Sequence, residues 1–193
     1  MENTHTGRLI RSLRLEKGFT QKELADRLSV SAGAVSKWER GQGCPDISLL
    51  RALSEIFGVN IEPILSGRMD TNEKDGGNMK KVKFYVCPDC GNTLMSTGTG
   101  ELSCCGRKLA PLMFRKSDEH HGFSKEKAED DWYITFSHPM DKTHFITFAA
   151  CVTYDRVLFI KLYPEQNGEV RFPAPRGKAV FYFHCNRDGL FSD

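Results

Sequence analysis

The sequence predicts a multidomain α+β protein with a five-helix domain, a small metal knot of four cysteines and an antiparallel β-sandwich. Three observations lead to this prediction. Apolar residues recur at helical spacing as far as about residue 67, and two pairs of cysteines follow. The remaining chain has five short runs rich in β-branched and aromatic residues and separated by turns, at 132–136, 143–153, 157–163, 169–172 and 179–183. We therefore divide the chain into residues 1–68, a polar linker at 69–81, the knot at 82–109 and the sandwich at 110–193.

The composition limits the classes to which the chain can belong. Of its 193 residues, 39% are apolar and 27% charged, and the net charge is only +2, so any binding of DNA must depend on locally placed cations. No apolar run is long enough to span a membrane, and the amino terminus lacks the pattern of a secretory signal. These features predict a cytoplasmic protein with no membrane partner. In a reducing compartment, its seven cysteines are expected to be metal ligands or, for Cys44 and Cys151, small buried side chains.

The first domain is predicted to contain five helices with recognisable ends. Thr20 and Glu23 form a capping box, because the hydroxyl of Thr20 can accept from the amide of Glu23 while the Glu23 carboxylate reaches back. The other predicted boundaries are Gly18, Ser31, Gly41, Asp46, Asn60 and Gly67.

The second and third helices have the spacing of a DNA-binding helix-turn-helix. A short turn at Val30 and Ser31 lets the third helix enter the major groove while the second lies across the backbone. Gln21 begins the second helix, where its side chain and the helix dipole can meet a phosphate. The residues of the third helix that are expected to project outward are Ser31, Ala32, Gly33, Ser36 and Lys37.

The caps, the apolar pattern and the ending Trp38-Glu-Arg-Gly41 resemble the Cro/lambda-repressor-like (Xre-type) family over about residues 6–66. The resemblance implies DNA-facing positions at Gln21, Ala32, Gly33, Ser36, Lys37 and Arg40. Where the family often has long polar side chains, this chain has Ala32 and Gly33, so base recognition should rest mostly on Lys37. We expect a homodimer on double-stranded DNA; the alternative is a helical module that binds only protein.

The knot contains Cys87, Cys90, Cys104 and Cys105. Two pairs of thiolates separated by a short segment predict a tetrahedral site for Zn²⁺ or iron. The adjacent pair resembles desulforedoxin, which implies rubredoxin-type iron bound by all four cysteines. A purely structural zinc site is the alternative.

The chain beyond the knot is similar to the catalytic domain of desulfoferrodoxin, the iron superoxide reductase. The matching segments are Glu119-His-His121, His138-Pro-Met140, His144-Phe-Ile146, Leu162-Tyr-Pro164 and Cys185-Asn-Arg-Asp-Gly-Leu-Phe191. That family binds iron through four histidines and one cysteine, so the resemblance implies iron ligands at His121, His138, His144 and Cys185. Glu119 and His120 are the candidate catalytic residues: the first matches a carboxylate that caps oxidised iron, the second replaces a lysine that attracts the anion. The ligand assignment could shift from His121 to His120.

Asp188 is the largest departure from the family, because it stands where the fourth histidine is expected. A carboxylate can bind Fe²⁺, but it is a harder, anionic ligand that should lower the reduction potential. The preferred interpretation is a DNA-binding transcriptional regulator with an iron- or redox-responsive metal-binding C-terminal region that responds to superoxide or another redox signal. The alternatives are a superoxide reductase with a DNA-binding head, a regulator whose tail only supports dimerisation, and a metal-free relic of the histidine site.

Overall fold

A computed structural model describes residues 3–193, with side chains from Thr4 onward. The chain forms two compact units, Met1–Thr71 and Asn72–Asp193, each with its own hydrophobic core. Within residues 3–193, no helix is long and apolar enough to cross a membrane.

The first unit contains the five predicted helices. They are α1 (Asn3–Glu16), α2 (Gln21–Leu28), α3 (Ala32–Glu39), α4 (Leu50–Phe57) and α5 (Ile61–Ser66). The capping box of Thr20 and Glu23 is present, as the sequence predicts. Asp46 differs from the prediction: its side chain accepts from Ser48 and caps a 3-10 helix, Ile47–Leu49, which precedes α4.

The helices of the first unit pack around a core that includes Ile10, Leu24, Val35, Leu53 and Ile64, all fully buried. Gly7 allows α1 to lie directly against the end of α3, since a Cβ at this position would be 1.9 Å from the carbonyl oxygen of Trp38. The packing fixes α3, which the sequence analysis assigned to DNA, relative to the rest of the unit.

The second unit contains a short 3-10 helix, Met79–Lys81, followed by twelve strands. They are β1 (Lys83–Val86), β2 (Thr93–Ser96), β3 (Leu102–Cys104), β4 (Arg107–Leu109), β5 (Phe114–Lys116), β6 (Gly122–Ala128), β7 (Asp131–Ser137), β8 (Ile146–Val152), β9 (Val157–Lys161), β10 (Glu169–Pro173), β11 (Val180–Cys185) and β12 (Gly189–Ser192). The knot contains the hairpins β1-β2 and β3-β4, and the sandwich contains a three-stranded sheet, β10-β7-β6, and a five-stranded sheet, β5-β12-β11-β8-β9. All pairs are antiparallel except β5 with β12.

The five-stranded sheet is covered on both faces. One face packs against the three-stranded sheet, through a core that includes Phe172, Phe183 and Cys151. The other face packs against β1, where the ring of Phe84 lies 5.4 Å from that of Phe148. Cys151 is fully buried, as the sequence analysis expected, whereas Cys44 is half-buried. The knot and the sandwich therefore share a core within one unit.

Part of the segment assigned to a linker has defined contacts in the second unit. Thr97 donates to Asp75 at 2.8 Å, and Asn72 is hydrogen-bonded to Thr99. The amide of Met79 donates to the carbonyl of Tyr154 at 2.9 Å. Hydrogen bonds at Asn72, Asp75 and Met79 thus attach part of 69–81 to the second unit, and polar composition alone gave no indication of this.

Candidate metal centres and DNA-binding surface

The sulfurs of Cys87, Cys90, Cys104 and Cys105 form one group, which we call the four-cysteine site. The hairpins β1-β2 and β3-β4 carry two cysteines each, and all four sulfurs lie within 4.8 Å of one another. The Sγ atoms of Cys90 and Cys104 are 3.5 Å apart, and those of Cys104 and Cys105 are 4.0 Å apart. A tetrahedral ion with metal–sulfur bonds of about 2.3 Å would hold its sulfurs about 3.8 Å apart. The spacing therefore fits a metal ion.

The backbone and the charges of the four-cysteine site also favour a cation. Cys105 and Gly106 have φ values of 51° and 76°, and this left-handed pair turns β3 into β4. Hydrogen bonds lower the pKa of the Cys87 thiol to about 7, and the bond from the backbone amide of Cys90 contributes most. The sulfurs of the other three cysteines raise the pKa of the Cys105 thiol to about 12, and Cys90 contributes most. Four thiolates this close together ionise fully only when a positive ion neutralises them.

A second group lies at one end of the sandwich, and we call it the histidine–cysteine site. His121 precedes β6, His138 follows β7, His144 precedes β8, Cys185 ends β11 and Asp188 precedes β12. Their ligand atoms also lie within 4.8 Å of one another. Three stretches of chain, at the start of β6, between β7 and β8 and between β11 and β12, thus bring nitrogen, sulfur and oxygen donors to one place, and this group could bind a metal.

Asp188 lies inside the histidine–cysteine site. Its Oδ2 atom is 3.1 Å from Nε2 of His121, 3.1 Å from Nε2 of His144 and 3.3 Å from Sγ of Cys185. Hydrogen bonds from Cys185 and then from the two histidines lower the pKa of Asp188. The residue that departs from the family pattern is therefore one of the five donors.

His138 is the residue whose surroundings point most directly to metal binding. Its Nδ1 donates to the carbonyl of Pro139 at 2.5 Å. Its Nε2 is buried and has no hydrogen-bond partner within residues 3–193. Burial lowers the pKa of His138, which favours the neutral ring with a free lone pair. A buried nitrogen without a partner is costly, and a bound cation would satisfy it.

Asp118 fixes the orientation of His121, and the sequence analysis did not identify it. Its Oδ1 accepts from the backbone amides of His120 and His121 at 3.0 and 2.9 Å, and from Nδ1 of His121 at 3.0 Å. This places the proton on Nδ1 and leaves Nε2 facing the other donors. The pKa of the Asp118 carboxyl is lowered, and the hydrogen bond that it accepts from the side chain of His121 contributes most. Asp followed by His three residues later is the only sequence pattern that could have indicated this role.

The other polar residues proposed for this end lie outside the group. Glu119 and His120 are both exposed, and neither is among the five donors. His184 is buried on the other face of the sheet, as strand alternation predicts, stacked on Phe148 with ring centroids 5.3 Å apart. Burial lowers the pKa of His184 to about 4, so it is neutral at neutral pH.

The outward face of α3 carries most of the residues expected to meet DNA. Ser31 caps the helix, its Oγ accepting from the amide of Ala34 at 3.2 Å. Ser36 is half-buried, and the exposed residues are Ser31, Ala32, Gly33, Lys37 and Arg40. Val35 and Trp38 are buried, as the sequence predicts. Between its caps, the helix thus presents small side chains and one long cation, Lys37, in its last turn.

Gln21 is held by other side chains of the first unit. Its Nε2 donates to Glu39 at 2.8 Å, and the other Glu39 oxygen accepts from Nε of Arg14 at 2.6 Å. The side chains of Arg14 and Glu39 are only 9% and 3% exposed. This buried network joins α1, α2 and α3, and sequence analysis missed it because its members are distant in the chain.

The helix-turn-helix family model matches residues 10–64. HTH-type transcriptional regulator DdrOP3 of Deinococcus deserti is 31% identical over 134 residues, which cover 67% of this chain and 91% of that protein. The chain belongs to the HTH-type transcriptional regulators. HTH-type transcriptional activator BcrR of Enterococcus faecalis is 38% identical over 80 residues, 40% of this chain, and the chain spans only 39% of that relative's length.

The rest of this regulator is similar to a different class of protein. A desulfoferrodoxin homolog of Methanothermobacter thermautotrophicus is 27% identical over 118 residues, which cover 56% of this chain and 95% of that protein. The regulator therefore combines a helix-turn-helix unit, whose family binds double-stranded DNA, with a desulfoferrodoxin-like unit that contains two candidate metal sites.

Proposed function

We propose that this regulator binds metal at both the four-cysteine and the histidine–cysteine sites, and that the state of the metal controls DNA binding by the first unit. The observation that carries the proposal is Nε2 of His138, buried and without a partner in the described chain, in a group with four other donors. Ordinary core histidines have their nitrogens satisfied, so this one calls for a ligand.

The donor sets and the similarity to a desulfoferrodoxin homolog support iron in the histidine–cysteine site and iron or zinc in the four-cysteine site. Four thiolates suit either metal. Imidazole, thiolate and carboxylate donors bind both iron and zinc, so the preference for iron in the second site rests on the similarity to the desulfoferrodoxin homolog. Bound iron would supply one-electron redox chemistry. Ionised Cys185 and Asp188 would bring two negative charges, which favour the more highly charged oxidation state. The site is therefore suited to detect an oxidant such as superoxide.

We assign DNA recognition to the outward face of α3, together with Gln21 at the start of α2 and Arg40 at the end of α3. The small side chains at Ala32 and Gly33 leave Lys37 as the long side chain best placed to reach base edges. One such domain reads few base pairs, so we propose that a homodimer binds two half-sites about one helical turn apart.

The test is metal analysis of protein purified without oxygen, combined with DNA-binding measurements on the metal-free, reduced and oxidised full chain. We expect two metal ions per chain and a DNA affinity that differs between these states. Cys185→Ser should lose one ion and the difference between states, while Cys44→Ser, a cysteine outside both sites, should keep them. Equal DNA affinity in all states would refute metal control, and full metal content in Cys185→Ser would refute the second site.

A superoxide reductase is the second candidate. It is favoured by the convergence of His121, His138, His144 and Cys185 at one end of the sandwich. Glu119 and His120, the candidate catalytic residues, are exposed and lie outside the donor group, which argues against an enzyme. Superoxide consumption by the iron-loaded chain, compared with the same chain carrying zinc, would distinguish an enzyme from a sensor.

A further inference from the structure

A β-bulge at Thr147 lies beside the histidine–cysteine site. Strand β11 pairs regularly with β8 as far as His184 opposite Phe148, but the next residue, Cys185, pairs with Ile146. Thr147 is thus an extra residue with no partner on β11. A bulge of this kind changes the direction in which the following side chains point.

The bulge reverses the alternation of β8 before it reaches the site. Ile146 belongs to the core between the two sheets, whereas Phe148, two residues later, belongs to the core on the opposite face. Without the extra residue, Ile146 would share a face with Phe148. Backbone pairing continues beyond the bulge, since the amide of Asn186 donates to the carbonyl of Phe145 at 3.1 Å.

The reversal is what brings His144 and Cys185 together. His144 lies two residues before Ile146, just ahead of β8, and its ring is on the same side of the sheet as Ile146 and Cys185. Its Nε2 is 3.2 Å from Sγ of Cys185, which projects between the two sheets with Phe183. In a ladder without the bulge, Cys185 would pair with Thr147 and His144 would be directed to the opposite face.

Two hydrogen bonds hold the bulge closed. The hydroxyl of Thr147 donates to the carbonyl oxygen of His184 at 3.4 Å, and its oxygen lies 2.8 Å from Nδ1 of His184. The ring of His184 is in turn stacked on Phe148 with an interplanar angle of 3°. A buried imidazole one residue before Cys185 is thus tied to the extra residue of the neighbouring strand.

We infer that Thr147 and His184 are positioning residues that set the metal affinity of the histidine–cysteine site. They do so by holding the bulge that directs His144 and Cys185 to the same side of the sheet. Neither side chain is among the five donors. This inference rests on the proposed metal binding at that site.

The test uses the metal-free full chain titrated with Co²⁺, whose thiolate charge-transfer band reports a sulfur ligand. The part of the band that disappears in Cys185→Ser belongs to the histidine–cysteine site. Thr147→Val keeps the shape of the side chain and removes its hydroxyl, so it should lower Co²⁺ affinity at this site about 10- to 100-fold, as loss of outer-shell support generally does. Thr147→Ser, which keeps the hydroxyl, should bind within a few-fold of the parent.

His184→Phe provides a second variant, because it removes the hydrogen bond but keeps a ring that can stack on Phe148. It should weaken Co²⁺ binding in the same way, and the band of the four-cysteine site should be unchanged in every variant. If the parent has no Cys185-dependent band, the proposed metal site itself is wrong. If that band is present and both Thr147→Val and His184→Phe bind as tightly as the parent, the site stands and the positioning role is wrong.

Discussion

The carboxylate of Asp118 accepts a hydrogen bond from Nδ1 of His121 at 3.0 Å while the opposite ring nitrogen lies 3.1 Å from Asp188. A carboxylate behind a histidine fixes the ring tautomer and raises the basicity of the nitrogen that faces a metal. The ring is also stacked on Phe191, with centroids 4.1 Å apart, so its orientation is fixed from two sides.

Removal of this support should weaken metal binding. We expect Asp118→Ala to lower the affinity of the histidine–cysteine site for Fe²⁺ by about 10- to 100-fold. Asp118→Asn keeps an oxygen that can accept from Nδ1 of His121, so its affinity for Fe²⁺ should fall less than that of Asp118→Ala. Competition with a chelator measures both affinities; an equal effect of the two substitutions would show that the hydrogen bond to His121 is not the cause.

A second prediction concerns the stability of the first unit. Glu39 accepts from Arg14 and Gln21 in a buried network, so Glu39→Gln leaves the Arg14 charge without its partner. Loss of one member of a buried pair costs about 3–5 kcal/mol. The helical circular dichroism of the full chain reports this unit, since the α-helices of the described residues all lie there. Arg51→Gln, which removes an exposed pair with Glu55, is the control and should change stability by less than about 1 kcal/mol.

The same network predicts how stability depends on pH. Burial acts to raise the pKa of Glu39, but hydrogen bonds from Arg14 and Gln21 and the charge of Arg14 outweigh it, so the pKa is lowered from 4.5. A lowered carboxyl pKa contributes stability that is complete above the unfolded-state value and is lost as the pH falls through the folded-state value. The difference between the parent and Glu39→Gln should therefore shrink in acid below 4.5. A constant difference across that range would assign the effect to packing.

A third prediction concerns DNA. Lys37 is exposed in the last turn of α3, whereas Ala32 and Gly33 in its first turn have side chains too small to bond to a base. If Lys37 contacts a base, Lys37→Ala should cost about 1–3 kcal/mol of binding free energy and relax specificity at one position. Lys17→Ala, also exposed but outside the helix-turn-helix pair, is the control. Equal losses on operator and random DNA would mean that Lys37 contacts only phosphate.

A fourth prediction concerns the four-cysteine site. Strands β3 and β4 have three residues each, none of them buried, so a metal ion should supply most of their stability. Replacement of both Cys104 and Cys105 by Ser should release the metal and increase amide exchange in these strands. The helical signal of the first unit should not change. Slow exchange in β3 and β4 after chelation would indicate that the hairpin is stable without metal.

Local patterns in the sequence were sufficient to predict the helices, the capping box and the five strands that became β7–β11. The strands that were missed have weak patterns: β6 has four exposed residues in its centre, three of them charged, and β5 and β12 are only three and four residues long. Their pairing depends on neighbours that are distant in the chain. The similarity of short segments to the desulfoferrodoxin family also indicated the donors of the histidine–cysteine site.

The sequence did not indicate which residues orient those donors. The hydrogen bond that His121 donates to Asp118 depends on a turn in the backbone between them. The bulge at Thr147 depends on the register of β8 against β11, which no local pattern determines. The hydrogen bond of Gln21 to Glu39 likewise joins two helices. Sequence spacing indicates which side chains bind, whereas tertiary packing determines which residues hold them.

The last prediction concerns Asp188, whose carboxylate contacts His121, His144 and Cys185. Asp188→His would replace an anionic oxygen with a neutral nitrogen and restore the four-histidine set of the family that this unit resembles. Loss of one negative charge beside the metal should raise the reduction potential of bound iron. Asp188→Asn removes the charge without adding an imidazole, so it separates the electrostatic effect from the ligand effect.

We expect both Asp188 variants to have a higher potential than the parent, measured by redox titration of the visible spectrum, and only Asp188→His to gain superoxide-reducing activity. Such a result would mean that Asp188 favours detection of an oxidant over turnover. If the parent already consumes superoxide as fast as Asp188→His, the carboxylate does not impair catalysis, and the chain is better described as an enzyme that carries a DNA-binding unit.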